Sequence, residues 1–298
     1  MQPGIHLFHK PEGPTSFSLV QACLNATHPP DAKRRPKICH GGTLDPFASG
    51  LLLILVEPAT RLFDYVHGIP KIYDATVRWG VETDNGDPDG RVTFTGNPSI
   101  LRSQQLQDAL AGFIGWHDQI PPPTSAKRID GERAYLKAHR GEPVNLPPSQ
   151  VYLHEARWLS HDLPRESKIR LSVRGGYYVR SLARDLGRLI GCGAHLTTLH
   201  RTAIGPWVDP GADRTVAIPG RHLLSWAHTR ILSDQDIGDL RQGRNISLGD
   251  LLPPIWPLPP GFPDPQAPIR GFHLDRFCFL LKPENGRLSL LTALRGGL

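Results

Sequence analysis

What this sequence lacks narrows its chemistry before any motif is weighed. No segment approaches the roughly 18 to 20 consecutive apolar residues of a membrane span. The opening "MQPGIHLFHKPEG" has neither the apolar stretch nor the small-residue cleavage site of a signal peptide, so a soluble, cytoplasmic protein is expected. Four cysteines, Cys23, Cys39, Cys192 and Cys278, form no C-x-x-C pair and have no histidine at zinc-ligand spacing. They read as reduced thiols, mostly in the core, and no metal site is expected. A dinucleotide fingerprint, a Walker loop and an internal repeat are also missing, and no cofactor is expected.

What is there is the composition of a globular chain: 298 residues, 39% hydrophobic and 21% charged. That length accommodates one large domain, or one domain with a small second one. The net charge of +6 points towards a polyanionic partner, and its distribution says more than its total. Between Ala126 and Arg201 stand 14 Lys or Arg against 7 Asp or Glu, an excess that accounts for the whole surplus. A second basic cluster, "KRRPK", occupies 33 to 37. Both read most simply as solvated surface, although phosphate contacts require the same kind of positive surface around a site.

Short strand-like segments recur along the chain with turn signals between them. "GIHLFHK" predicts a strand, followed by a helix over "FSLVQACLNAT" capped by Thr15 or Ser16. "GLLLILV" and "KIYDATVRWG" predict strands with a short helix, "TRLFDYVHG", between them, and "TDNGDPDGR" is dense turn chemistry leading to "VTFTG". A helix is expected from Ser103 to Gly112, a hairpin around Asp130-Gly131, and a strand, a Gly-Gly turn and a helix ended by Gly191 over "KIRLSVRGGYYVRSLARDLGRLIGCG". Helices interleaved with many strands, without regular βαβ spacing, argue for α+β with a large mixed or antiparallel sheet flanked by helices.

From about Thr229 the texture changes. A short helix capped by Ser233 is expected, and eight prolines fall between Leu251 and Pro268, which suits an extended connector. The last thirty residues resume alternation around Asn285-Gly286, enough for a small β module without an independent core.

The stretch from 39 to 55, "CHGGTLDPFASGLLLIL", is the one that asks for chemistry. Asp45 followed by Pro46 reads on its own as a turn. Yet "HKPEGPTS", this stretch, "KIYDATVRWGVETDNGDPDG" and "GGYYVRSLARDLGRLIGCGAHLTTLHR", in this order and spacing over roughly residues 4 to 207, resemble the TruB-type tRNA pseudouridine synthases. The resemblance implies the pseudouridine synthase fold and isomerisation of one uridine in the T loop of tRNA, position 55 in conventional tRNA numbering. The N1 to C1′ bond breaks, the uracil turns and C5 joins C1′.

The resemblance also implies roles. Asp45 is the catalytic carboxylate, acting either as a nucleophile or by abstracting a sugar proton. An aspartate kept ionised in a partly apolar pocket needs a fixed cation, and Arg180 matches the arginine that pairs with it. Tyr73 matches the tyrosine that stacks on uracil and is a candidate base for the C5 proton; its plainer reading is a core aromatic. Leu199 matches an apolar wall that excludes water. His40 matches the histidine that fills the disrupted loop once the uridine is extruded. Gly41 and Gly42 are expected to let the backbone approach RNA closely, and Lys10 and Tyr178 match supporting positions.

The expected partner is the T stem-loop of tRNA, gripped through its phosphates by the basic stretch. No protein partner or membrane is expected, and the chain is expected to be a monomer. Residues 1–228 read as the catalytic domain and 229–298 as a reduced PUA-like region, with the connector at 251–268. One departure stands out: His9 replaces the acid of the family's common D-K-P, which changes the surroundings of Lys10. A non-catalytic RNA-binding or folding factor, a two-carboxylate glycoside hydrolase and a guide-dependent relative are the rival readings.

Overall fold

The computed structural model describes residues 1–27, 35–129 and 131–298. Lys33 and Arg34 of the basic run, and Asp130 of the expected hairpin turn, lie outside the described residues. The chain divides into two compact units, one of Met1–Pro46, Gly50–Ile69 and Ala203–Leu298, the other of Phe47–Ser49 and Pro70–Thr202.

In the first unit the strand Gly4–Lys10 lies antiparallel between Ser49–Val56 and Thr215–Ala217, with Ile5 opposite Leu55 and Lys10 opposite Gly50. Ile38–His40 also pairs with Ser49–Val56, placing His40 opposite Ile54. The run Leu51 to Val56 is buried on both faces, which is why it is continuously apolar instead of alternating. Its Leu51, Leu53 and Leu55 pack with Ile5, Leu62, Val66 and Trp226. Thr15 caps the helix Ser16–Thr27, its Oγ1 accepting from the Ser18 amide at 3.0 Å.

The C-terminal part of this unit forms a five-stranded sheet in the order Thr229–Ile231, Ile269–His273, Arg276–Glu284, Arg287–Ala293, Ile246–Ser247. Ser233 caps the helix Asp234–Arg241 in a capping box with Asp236. The region has more core than the sequence suggested: Leu232, Ile237, Leu240, Ile246, Phe279, Leu281 and Leu288 form a buried cluster of their own. Helix and short strands upstream of the proline-rich stretch complete the apolar face of the terminal hairpin. Residues 251–268 contain neither helix nor regular strand. They nonetheless pack: Leu252 exchanges backbone hydrogen bonds with Thr229, and Trp256 meets the edge of Trp226 at 6.5 Å between centroids.

The second unit orders its strands Ala194–Ile204, Lys71–Trp79, Glu166–Val173, Ser149–Asp162, Gly115–Gln119, with helices Ser103–Ala111 and Val179–Ile190. Sequence periodicity left three of these strands unread, Ala194–Ile204, Ser149–Asp162 and Gly115–Gln119. Ser149–Asp162 is interrupted by register shifts after Leu153 and Trp158, which break the period of two on which recognition depends. The arms of the expected hairpin are only Arg128–Ile129 and Glu132–Arg133, and Ala134–His139 is helical. Of the cysteines only Cys192 is fully buried; the other three are half-buried and all four are free, so the thiols are less internal than expected.

Candidate active site

In the first unit the segment around Asp45 is fixed from both sides. Ser16 Oγ donates to the Leu44 carbonyl at 3.0 Å and accepts from the Leu44 amide at 2.9 Å. On the other side the Pro46 carbonyl accepts from Lys10 Nζ at 3.1 Å and from the Gly13 amide at 2.8 Å. Lys10 is completely buried, and its ammonium also donates to the Pro11 carbonyl at 2.8 Å. The result is a half-buried carboxylate on a backbone held at the residue before it and the residue after it.

The two glycines meet different local constraints. A Cβ on Gly41 would stand 2.9 Å from Leu53 Cβ, so that glycine lets the loop lie against the buried strand. Gly42 has φ +130°, a conformation closed to other residues in practice. His40 is half-buried at the end of Ile38–His40.

In the second unit Tyr73 lies in the strand Lys71–Trp79. Thr198 Oγ1 donates to Thr76 Oγ1 at 2.7 Å and Thr202 Oγ1 to the Ile72 carbonyl at 3.3 Å, so the buried Leu199 and Arg201 fall opposite the segment that holds Tyr73. Arg201 Nη1 donates to the Tyr73 hydroxyl at 3.3 Å, and its guanidinium carbon lies 5.9 Å from the ring centre. Lys71 is buried two residues before Tyr73 in the same strand. Burial first, then the charges of Arg201 and Arg174, push its ammonium down to about 7.

Arg180 opens the helix Val179–Ile190 and is buried. Its Nη1 donates to the Asn85 carbonyl and to Thr124 Oγ1, both at 2.8 Å, and lies 3.7 Å from Asp87 Oδ2. The dense turn of the sequence therefore clasps this arginine. Gly86, at φ +76°, allows the approach: a Cβ there would be 3.2 Å from Arg180 Cβ. Gln119 clamps Tyr178, accepting from its amide at 2.8 Å and donating to its carbonyl at 3.0 Å.

Arg201, Lys71, Asp87 and Gln119 are site neighbours that motif reading missed. Only Arg201 had a readable signal, its alternation with Leu199 on one strand face. The basic stretch is partly neutralised within the protein, since Arg140, Arg170 and Arg188 hold Glu132, Asp74 and Glu82. The departure at His9 also has a structural counterpart: its Nδ1 meets Asp209 Oδ2 at 2.8 Å, so a carboxylate stands beside this position after all.

Residues 31–179 match the family described as TruB family pseudouridylate synthase, N-terminal domain, and residues 180–218 match the tRNA pseudouridylate synthase B C-terminal domain. The chain belongs to the TruB family. It is 38% identical over 255 residues to tRNA pseudouridine synthase B of Parasynechococcus marenigrum, covering 82% of this chain and 85% of that one. Its identity to tRNA pseudouridine synthase B of Thermotoga petrophila is 35% over 258 residues, 83% of this chain and 81% of the other. Among solved structures it resembles a chain in the crystal structure of a Cbf5-Nop10-Gar1 complex, with a TM-score of 0.63 and 19% identity over 98% of this chain and 85% of that one. That likeness establishes the pseudouridine synthase fold, α+β with strands predominating. This TruB-family chain is accordingly a pseudouridine synthase, an isomerase whose reaction has no net redox change.

Proposed function

We propose that this pseudouridine synthase isomerises the uridine at position 55 in the T loop of tRNA. The observation that carries the reading is the double anchoring of the Asp45 backbone through Ser16 and Lys10, which suits a carboxylate that has to meet a reacting centre repeatedly in one geometry. Family membership supplies the reaction class, and the relatives named tRNA pseudouridine synthase B supply the class of RNA. In this reading Asp45 acts on the sugar or the base, and Arg180 is the fixed positive charge that keeps it ionised. Tyr73 stacks on the uracil and takes the C5 proton, with Leu199 as an apolar wall. His40 occupies the space vacated in the T loop, Gly42 lets the loop turn beside the RNA, and Lys10 and Tyr178 support the site.

Residues 1–228 are the catalytic domain in this reading, and 229–298 a reduced RNA-gripping module. The enzyme works as a cytoplasmic monomer without a protein partner. The test is tritium release from C5-labelled uridine in a T-arm stem-loop and in full-length tRNA. Release by the natural chain and none by Asp45→Asn, with RNA binding intact, is expected. Binding without release on both RNAs refutes the assignment and leaves a tRNA-binding or folding factor.

A further inference from the structure

The edge of the second unit carries an aromatic and basic group that the isomerisation does not use. Trp116, in the last strand of the order, stands directly opposite Tyr152, and their rings lie 5.1 Å apart at 53°. His154 continues the row, 6.2 Å from Tyr152. The Arg174 amide donates to the Tyr152 carbonyl at 3.0 Å, which brings the Arg174 guanidinium carbon 5.7 Å from the Trp116 ring centre. Trp116 is nevertheless 49% exposed, a large area for an indole whose orientation is held from two sides.

Arg174 is the telling member. Among the described residues no carboxylate lies within 4.0 Å of its guanidinium. A cation ordered by an aromatic face and left without an internal anion suits a phosphate. Its backbone lies at the end of the strands that carry Tyr73 and its neighbours. Val173, just before it, pairs with Lys71, which lies two residues from Tyr73 in the same strand. By side-chain alternation Trp116 and Tyr152 face away from the side that Tyr73 occupies, so this group would hold a segment passing round the strand ends and not the target base. The bordering acids are Asp118, two residues along the edge strand, and Glu155.

We infer that Trp116 and Arg174, backed by Tyr152, form an additional RNA-binding platform on which an unpaired base of the substrate stacks against the indole while its phosphate meets the guanidinium. The inference rests on the proposed action on tRNA and extends it to a second contact outside the isomerisation site. Stacking on an aromatic tolerates any base, so the platform contributes affinity and position without reading sequence.

The experiment measures filter-binding affinity, its salt dependence, and kcat and KM for tritium release on full-length tRNA, with the natural chain, Trp116→Ala, Trp116→Phe and Arg174→Ala. Trp116→Ala is expected to weaken binding about tenfold, with the loss falling on KM more than on kcat, and Trp116→Phe to recover most of it because a stacking face remains. Arg174→Ala is expected to lower the slope of log affinity against log salt by about one. Equal affinity for Trp116→Ala and the natural chain overturns the platform, as does a Trp116→Phe variant no better than alanine. A change confined to self-association in sedimentation also overturns it, making the edge strand a contact between copies of the chain. If the natural chain itself neither binds nor isomerises tRNA, the functional reading fails and this inference with it, an outcome distinguishable because every variant is then silent.

Discussion

The buried ammonium of Lys10 donates to the carbonyl of Pro46, the residue that follows Asp45, at 3.1 Å. Lys10→Met removes that donor while keeping the length of the side chain. A lost hydrogen bond from a charged group costs about 2 kcal/mol, and the freed Pro46 carbonyl lets the loop shift. Urea unfolding is expected to show that loss, and kcat to fall further than RNA affinity. An unchanged kcat would mean that the clamp only stabilises the fold.

Arg180 is held by Asn85, Thr124 and Asp87 through groups that suit a planar guanidinium. Arg180→Lys retains the charge and loses the geometry, so kcat is expected to fall about a hundredfold. Asp87→Asn keeps the size of its side chain and leaves the arginine a weaker acceptor, and a smaller fall in kcat with little change in RNA affinity is expected. Single-turnover rates on saturating RNA measure both.

Tyr73 offers a ring and a hydroxyl, the latter accepting from Arg201. Tyr73→Phe separates them. If the hydroxyl takes the C5 proton, the rate falls about a hundredfold or more with binding preserved, whereas Tyr73→Leu also weakens binding. Equal rates for phenylalanine and tyrosine would assign the residue to stacking alone.

Lys71 predicts a pH dependence of stability. Its folded value is near 7 against an ordinary 10.5, so between these values the unfolded chain holds a proton that the folded chain has released, and stability rises with pH. Lys71→Met abolishes this titration. Its stability advantage over the natural chain is expected to be largest below pH 7 and to shrink from pH 7 towards 10, read by urea unfolding at each pH. A difference that stays constant with pH would show that the lysine is not depressed.

His9 and Asp209 form an ion pair or a neutral hydrogen bond, according to the charge of the ring. Restoring the acid of the common D-K-P pattern by His9→Asp sets two carboxylates together, and a loss of about 1 kcal/mol is expected. Adding Asp209→Asn should recover it, as a double-mutant cycle in thermal or urea unfolding will reveal.

Much of the local structure was legible. Thr15 and Ser233 cap helices because short polar side chains reach the exposed amides of a first turn, and Gly191 ends one at φ +88°. The Asn285-Gly286 turn has both residues at positive φ, as a tight hairpin requires. Ser149–Asp162 escaped because its bulges break the alternation, and the C-terminal core escaped because its members come from elements separated by the proline-rich stretch.

By itself the sequence determined many of the local elements and the buried strand behind Asp45, since caps, turns and apolar periods act over a few residues, while the candidates Asp45, Tyr73, Arg180 and Leu199 came from its resemblance to a family. Only the tertiary structure decided what each candidate touches. Lys10 and Pro46 are 36 positions apart, Arg180 and Asn85 are 95, Tyr73 and Arg201 are 128, and His9 and Asp209 are 200. Such contacts follow from strand register and loop closure, and those are settled by packing the whole chain at once.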